Sequence, residues 1–442
     1  FNITIMNQKQ ALDILKLGFN VFLTGAAGSG KTYVLNEYIK YLKKNGVNIA
    51  ITASTGIAAT HMNGKTIHSW AHIGIKDSLT EADLNKIYSR TDFRMQMLAA
   101  QVLIIDEISM LHDYRLDIVD QVMKKIHQND LPFGGIQVVL CGDLFQLPPV
   151  TRYGQEVKYV NESIVWDQMD INICYLNEQY RQSDENFLNI LNEIRDDSIS
   201  NKSLELLNSR MNQESTSKDT TKLFTHNVDV DAINQKELEK LSGKTHKFLM
   251  QSKGDSYVAK SLADNCLAPG ELKLKVGATV MFVQNNYKKG YVNGTIGTIL
   301  KFEKESGNPI VKLKSGKKIL VELGSWRLEE GDYVVAEITQ LPLRLAWAIT
   351  VHKSQGMTLD SAEIDLSKAF TGGMGYVALS RVKSLDSLNI NGLNGNALKI
   401  NPKIIEFDKQ FQKQTIHSLN KINKYNEHEL KKLHKEFIYN IA

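Results

Sequence analysis

The stretch VFLTGAAGSGKTYVL, residues 21–35, decides the fold. An apolar run, Val21 to Leu23, enters a glycine-rich turn that closes on Gly30, Lys31 and Thr32, and helix-forming residues follow. Gly25, four residues, then Gly30-Lys31-Thr32 is the spacing of a phosphate-binding loop. In such a loop the backbone from Gly25 through Ala26, Ala27, Gly28 and Ser29 to Gly30 cradles phosphate, with Tyr33 opening the helix behind it. Lys31 is expected between the β- and γ-phosphates and Thr32 on Mg²⁺. A chance match would lack the strand before and the helix after. The same loop serves kinases, GTPases, transporters and motors, so what the nucleotide drives must be read elsewhere.

The chain has 442 residues, too many for one compact core, which predicts two to four domains. Hydrophobic content of 42% and charged content of 23% are those of a globular protein. No apolar run is long enough to span a membrane and no leader opens the chain. The chain begins at Phe1, which suggests a trimmed start. Cys141, Cys174 and Cys266 lie far apart without metal-ligand spacing, as expected of buried thiols in a reducing cytoplasm. A net charge of +4 permits a polyanionic partner without demanding one, and the basic runs near the C-terminus fit a solvated face at least as well.

Further apolar, β-branched runs follow at 48–54, 101–107 and 136–143, separated by helical patterns. Strands alternating with helices predict a parallel sheet with its chemistry at the carboxyl ends. A second lobe is expected from LNEQYR (176–181), with strands at 223–225 and 361–366 and helices at 184–196 and 228–241. Residues 294–323 alternate apolar and polar, with turns at SGNP and SGKK, an antiparallel signature suited to a small inserted barrel. Residues 403–442 read as amphipathic helix, with Leu430, Leu433, Phe437 and Ile441 on one face.

Asp106 and Glu107 end the run VLIID. Behind a phosphate loop, Asp106 suits the metal and Glu107 suits the role of general base for the attacking water. Gln146 in GDLFQLPPV can sense a γ-phosphate, or it is a loop polar residue beside Pro148 and Pro149. Arg181 in EQYR and Arg381 in VALSR are candidates to place positive charge on the transferring phosphate from the other lobe, although a lone Arg is more often a surface ion pair. Ser54, Thr55 and Gly56 in TASTGIAA, Lys65, Thr66 and His68 in GKTIHSW, and Thr350, His352 and Lys353 in TVHKSQGMTL offer groups that grip a nucleic-acid backbone without reading sequence. Trp70 fits the core better than a base stack.

In order, these segments resemble superfamily 1 helicases, specifically the Pif-type (petite integration frequency) DNA helicases of the 5′-to-3′ branch. MNQKQ (6–10) resembles the adenine-recognising Q motif, which places Gln10 against the base. GAAGSGKT is similar to motif I, TASTGIAA to motif Ia, DEIS to motif II and GDLFQLPPV to motif III. EQYR is similar to motif IV, TVHKSQGMTL to motif V, with Gln355 near the nucleotide, and VALSR to motif VI. Residues 110–137 resemble the family signature segment that separates it from RecD-like relatives.

The resemblance implies an α/β fold of two RecA-like P-loop NTPase lobes (1A, 2A) with a short wedge insert (1B), an SH3-like β-barrel insert (2B) and a C-terminal helical segment. The expected boundaries are 1–63 and 89–175 for 1A, 64–88 for 1B, 176–295 and 340–392 for 2A, 296–339 for 2B and 393–442 for the C-terminal segment. It also implies an ATP- and Mg²⁺-dependent helicase on single-stranded DNA and 5′-tailed duplex or G-quadruplex DNA, and on RNA–DNA hybrids. The compact length is that of bacterial members, hence cytoplasmic and without membrane, monomeric or pairing on DNA. The rival readings are a nucleotide-gated single-strand clamp and a P-loop phosphotransferase.

Overall fold

In the computed structural model of the chain, the described residues are 6–441 except 63, 75, 152–155, 183, 214–220, 285, 287, 292–293, 314 and 331–332. Six parallel strands, β1 (Val21–Gly25), β2 (Ile49–Ala53), β3 (Lys65–Thr66), β4 (Val102–Asp106), β5 (Gln137–Cys141) and β6 (Asn172–Leu176), form the first lobe in the order β3-β2-β4-β5-β1-β6. Every residue of β1, β5 and β6 is buried, because helices cover both faces. The helix Lys31–Lys44 buries Val34, Leu35, Tyr38, Ile39 and Leu42 along one stripe, which fixes the phosphate loop at its N-terminus. β1, β5 and β4 are adjacent, so their carboxyl ends bring Gly25, Cys141 and Asp106 together.

The second lobe opens with β7 (Thr221–Phe224). The chain then leaves it for β8 (His246–Leu249), β9 (Gln251–Gly254), β10 (Glu271–Leu274), β11 (Thr279–Phe282), β12 (Ile296–Phe302), β13 (Pro309–Leu313), β14 (Lys318–Leu320), β15 (Gly324–Glu330), β16 (Tyr333–Gln340) and β17 (Leu343–Leu345). It returns as β18 (Ala348–Thr350), β19 (Ala362–Leu366) and β20 (Leu388–Leu393), giving a parallel sheet β18-β7-β19-β20.

The β insert differs from the expected 296–339. Its five-stranded sheet runs β14-β13-β12-β11-β17 and therefore reaches from 279 to 345. β11 is buried at every position, so it lacks the alternation that marks β12 and β13 in the sequence. The hairpin β15–β16 pairs instead with β9, Ala336 opposite Gly254. The span 64–88 also divides differently. Lys65 and Thr66 complete the edge of the first sheet opposite Thr52 and Ala53, while the helical pair Glu81–Ser89 and Thr91–Leu98 runs past residue 88.

The C-terminal helices Pro402–Ile422 and Glu427–Ile441 pack on the first lobe. Leu430, Phe437, Ile438 and Ile441 join the core beneath the helix Gln8–Lys16, and Phe411 meets Phe22 edge-on at 5.2 Å. One apolar cluster runs from Phe22 and Leu103 in the first sheet to Ile364 and Tyr376 in the second lobe, so the two lobes share buried surface.

Candidate functional site

Gly28 and Gly30 adopt φ of +86° and +89°, which L side chains avoid, and each is crowded. A Cβ on Gly28 would meet Arg181 Cβ at 2.6 Å, and one on Gly30 would meet Gln8 Nε2 at 2.0 Å. Lys31 Nζ donates to the Gly25 and Ala26 carbonyls at 2.7 and 3.1 Å, folding the ammonium over its own loop. Ser29 Oγ is buried without a hydrogen-bond partner, and Thr32 and Tyr33 stand exposed on the first helical turn. A polyphosphate fits this donor set: the ammonium, the Ser29 hydroxyl and the Thr32 hydroxyl belong to one turn at a helix N-terminus.

Gln10 stands at the start of the helix Gln8–Lys16. Its side chain accepts from Asn7 N–H at 3.0 Å while its own N–H donates to Asn7 Oδ1, a reciprocal cap of the helix Gln8–Lys16. Gln8 is the glutamine that reaches the loop, donating to Ser29 O at 3.5 Å.

Asp106 closes β4, and Glu107 turns into the left-handed region, φ 51° and ψ 47°. That turn re-aims the second carboxylate, and such backbone strain is characteristic of functional sites. Burial and the neighbouring Asp106 push Glu107 up to about 7, opposed by Lys31, Arg381 and a hydrogen bond from Gln355. Burial also raises Asp106. Gln355, from the turn after β18 in the second lobe, donates to Glu107 Oε2 at 3.0 Å, so the contact crosses the cleft. Cys141 and Cys174 are buried free thiols and Cys266 is half-buried. Burial pushes the Cys141 thiol well above its usual range.

Gln146 is 5% exposed and its Oε1 has no partner, an open acceptor beside the acidic pair's lobe. The arginines depart from the two-lobe expectation. Arg181 follows β6 of the first sheet and lies against Gly28, so it is hung from the nucleotide lobe, and its Nη1 donates across to Ser380 O at 3.0 Å. Arg381 comes from the second lobe but is 1% exposed. Its guanidinium donates to the Val377, Ser354 and Met357 carbonyls and to Ser380 Oγ, all within that lobe. Burial and then Arg181 lower it to about 9.

Among the residues expected on nucleic acid, Ser54 donates its hydroxyl to the Glu107 carbonyl and so braces the acidic pair. Thr55 Oγ1 accepts from Ala58 N–H and Thr66 Oγ1 from Ser69 N–H, each opening a short helix, with Gly56 and Lys65 beside them. Burial, then Arg115 and His112, lower His68 to about 4, and Trp70 is buried core. Thr350 Oγ1 accepts from Lys353 N–H. Burial lowers Lys353 and His352. The sequence reading missed Phe370: it is 57% exposed and stands 5.3 Å from the His226 ring and 6.1 Å from that of His352. It also missed Arg195, 6% exposed, which donates twice to Asp143 at 2.9 Å.

Residues 4–205 match the family of PIF1-like helicases, and residues 258–302 match the 2B domain of the DNA helicase Pif1. The chain is 43% identical to the ATP-dependent DNA helicase Pif1 of Psychrobacter sp. over 98% of its own length and 75% of that protein's. The chain belongs to the Pif1-like helicase family. It is 35% identical to the human ATP-dependent DNA helicase PIF1 but spans only 62% of that protein. Bacteroides Pif1 in complex with ADP-AlF4 superposes with a TM-score of 0.79 at 32% identity, covering 92% of this chain and 96% of that one. Bacteroides Pif1 bound to ssDNA gives 0.66 at 31% identity, covering 94% and 98%. Among the described residues no helix is long and apolar enough to cross a membrane.

Proposed function

We propose that this Pif1-like helicase is an ATP-driven 5′-to-3′ translocase on single-stranded DNA that separates duplex ahead of it. The observation that carries the reading is the Gln355–Glu107 hydrogen bond, which puts the residue suited to be general base under the control of the other lobe. Bound Mg·ATP supplies the phosphoanhydride whose hydrolysis drives the motion. Lys31 leaves its loop carbonyls for phosphate oxygens, and Thr32 and Asp106 hold Mg²⁺, which favours few protein ligands. Glu107 takes the proton of the attacking water, and Gln146 orients it through its open acceptor. Arg181 lies nearest the loop and carries the positive charge, while Arg381 fixes the motif V and VI backbones.

We assign the single-strand path to Thr55, Gly56, Lys65 and Thr66 in the first lobe and to Thr350, His352 and Lys353 in the second. Phe370 and His226 add stacking surfaces on the second lobe, and His68 acts as a neutral donor. The domain limits follow those expected above, except that Lys65 and Thr66 stay with 1A, the 1B helical pair runs to Leu98, and 2B widens to 246–345 at the expense of 2A. We place the protein in the bacterial cytoplasm as a monomer that can pair on forked DNA, with 5′-tailed duplex and G-quadruplex DNA as substrates.

The test is unwinding of two partial duplexes, one with a 5′ tail and one with a 3′ tail, with and without Mg·ATP. Separation of the 5′-tailed substrate alone is expected. Preference for the 3′ tail refutes the polarity. Hydrolysis without any strand separation points to a clamp, and turnover that single-stranded DNA does not stimulate points to a phosphotransferase.

A further inference from the structure

The hydroxyl of Tyr376, on the second-lobe helix Met374–Leu379, is buried beneath the phosphate loop. It accepts from Ala27 N–H at 2.9 Å and from Arg195 Nη1 at 3.1 Å, and it donates to Asp143 Oδ2 at 3.3 Å. One proton and two lone pairs are thereby all used, so the oxygen is fully coordinated. Arg195 ends the helix Glu185–Arg195, and its guanidinium faces the Phe145 ring at 3.8 Å. Its Nη2 donates to Tyr175 OH at 2.9 Å, and that hydroxyl donates to Asp408 Oδ1 at 2.8 Å. Asp408 belongs to the C-terminal helix Pro402–Ile422 and also lies 3.6 Å from Arg195 Nη2. Asp143 in turn accepts from Phe145 N–H, and its carbonyl accepts from Gln146 N–H at 3.0 Å.

We infer that Tyr376, Arg195 and Asp408 are positioning residues for nucleotide hydrolysis, a buried polar relay that ties the phosphate loop and the Gln146 loop to the second lobe and to the C-terminal helix. The inference rests on the motor reading for the reaction it serves. It gives the C-terminal segment a task in the chemistry, since Asp408 is the outermost member of the chain of contacts. A partly satisfied buried network is worse than none, so removing one oxygen disturbs every member. The relay spans both lobes, and a shift of Met374–Leu379 relative to the first sheet moves Ala27 or breaks its bond to Tyr376.

Tyr376→Phe deletes one oxygen and keeps the ring in the core. It is expected to lower kcat for ATP hydrolysis at least tenfold, with the Kd for a fluorescent ADP analogue moving less than threefold. Asp408→Asn, remote in sequence from every nucleotide motif, is expected to lower kcat three- to tenfold. The double variant should fall no further than Tyr376→Phe alone, the signature of residues in one network. A merely structural role would lower the urea midpoint and leave the kcat of the folded enzyme within twofold of the parent, and that result overturns the relay. Independent, multiplicative losses in the double variant overturn it too. Rates are compared with and without single-stranded DNA. Absence of stimulation in the parent chain sinks the motor reading, whereas the variant-to-parent ratio in either condition judges the relay.

Discussion

The Gln355–Glu107 contact makes a quantitative demand on the pH dependence of hydrolysis. Glu107 acts as a base only when ionised, and burial together with Asp106 raises it to about 7, so turnover of the native chain falls as pH drops through that value. The Gln355 amide donates to the carboxylate at 3.0 Å and stabilises its charged form, holding it below where burial alone would put it. A hydrogen bond to a charged group is worth about 1.5 kcal/mol at the low end, and about 1.4 kcal/mol corresponds to one pH unit. Gln355→Ala should therefore move the acid limb of the rate profile upward by about one pH unit. At pH 6.5 the ionised fraction drops from about a quarter to about 3%, an eightfold extra loss, while at pH 9 the two proteins differ by only about 10%. The assay is kcat/KM for ATP from pH 5.5 to 9.5 at constant ionic strength, with saturating single-stranded DNA. An acid limb unmoved in Gln355→Ala, or a loss equal at every pH, would refute the idea that the second lobe tunes the base.

Three further outcomes are expected. Glu107→Gln keeps nucleotide and DNA affinity within a few-fold but lowers single-turnover hydrolysis by about 10² to 10⁴, the usual worth of a general base, and normal turnover would remove it from that role. Phe370→Ala weakens single-strand binding by about 1–3 kcal/mol, roughly 5- to 150-fold, in fluorescence anisotropy, leaving DNA-free hydrolysis unchanged. Less than a twofold effect would take Phe370 off the strand path. Phe437→Ala strips the contact over Gly18 and lowers stability by about 2 kcal/mol, because the ring is only half-buried, and an unchanged urea midpoint would mean that the last helix does not hold the first lobe.

What was legible in the chain is what lies contiguously in it. Gly25 to Thr32 and Asp106-Glu107 each carry their chemistry within a few residues, and the strands beneath them are apolar runs bounded by turns. The β insert was half legible: β12 and β13 alternate because one face meets solvent, whereas β11 is buried throughout and carries no period. The sequence places Arg181 in the second lobe because it follows the last recognisable strand, yet β6 continues to Leu176 in the first sheet and Arg181 lies against Gly28 of the phosphate loop. Gln10 carries two readings at once, because a glutamine three residues after Asn7 satisfies a helix cap as well as it satisfies an adenine edge. Arg195, Tyr376 and Asp408 had no signal at all. They stand on three helices spread over more than two hundred residues, and only their pairing in the fold, Arg195 with Asp143, Tyr175, Tyr376 and Asp408, makes the charges tolerable inside the core.

The placement of the arginines changes how the lobes communicate. With Arg181 fixed beside Gly28 and Arg381 bonded to its own lobe's carbonyls, neither is poised as a free guanidinium swinging in from across the cleft. Three of the polar contacts that cross near the nucleotide are Gln355 to Glu107, Tyr376 to Ala27 and Arg181 to Ser380, and Asp143 adds bonds to Arg195 and Tyr376. Each is worth about 0.5–3 kcal/mol, the scale on which a ligand's differential affinity rebalances two arrangements. Two of the three end on groups that a bound nucleotide would engage, the Glu107 carboxylate and the phosphate-loop backbone. Under the motor reading, nucleotide and the second lobe therefore meet on the same two groups.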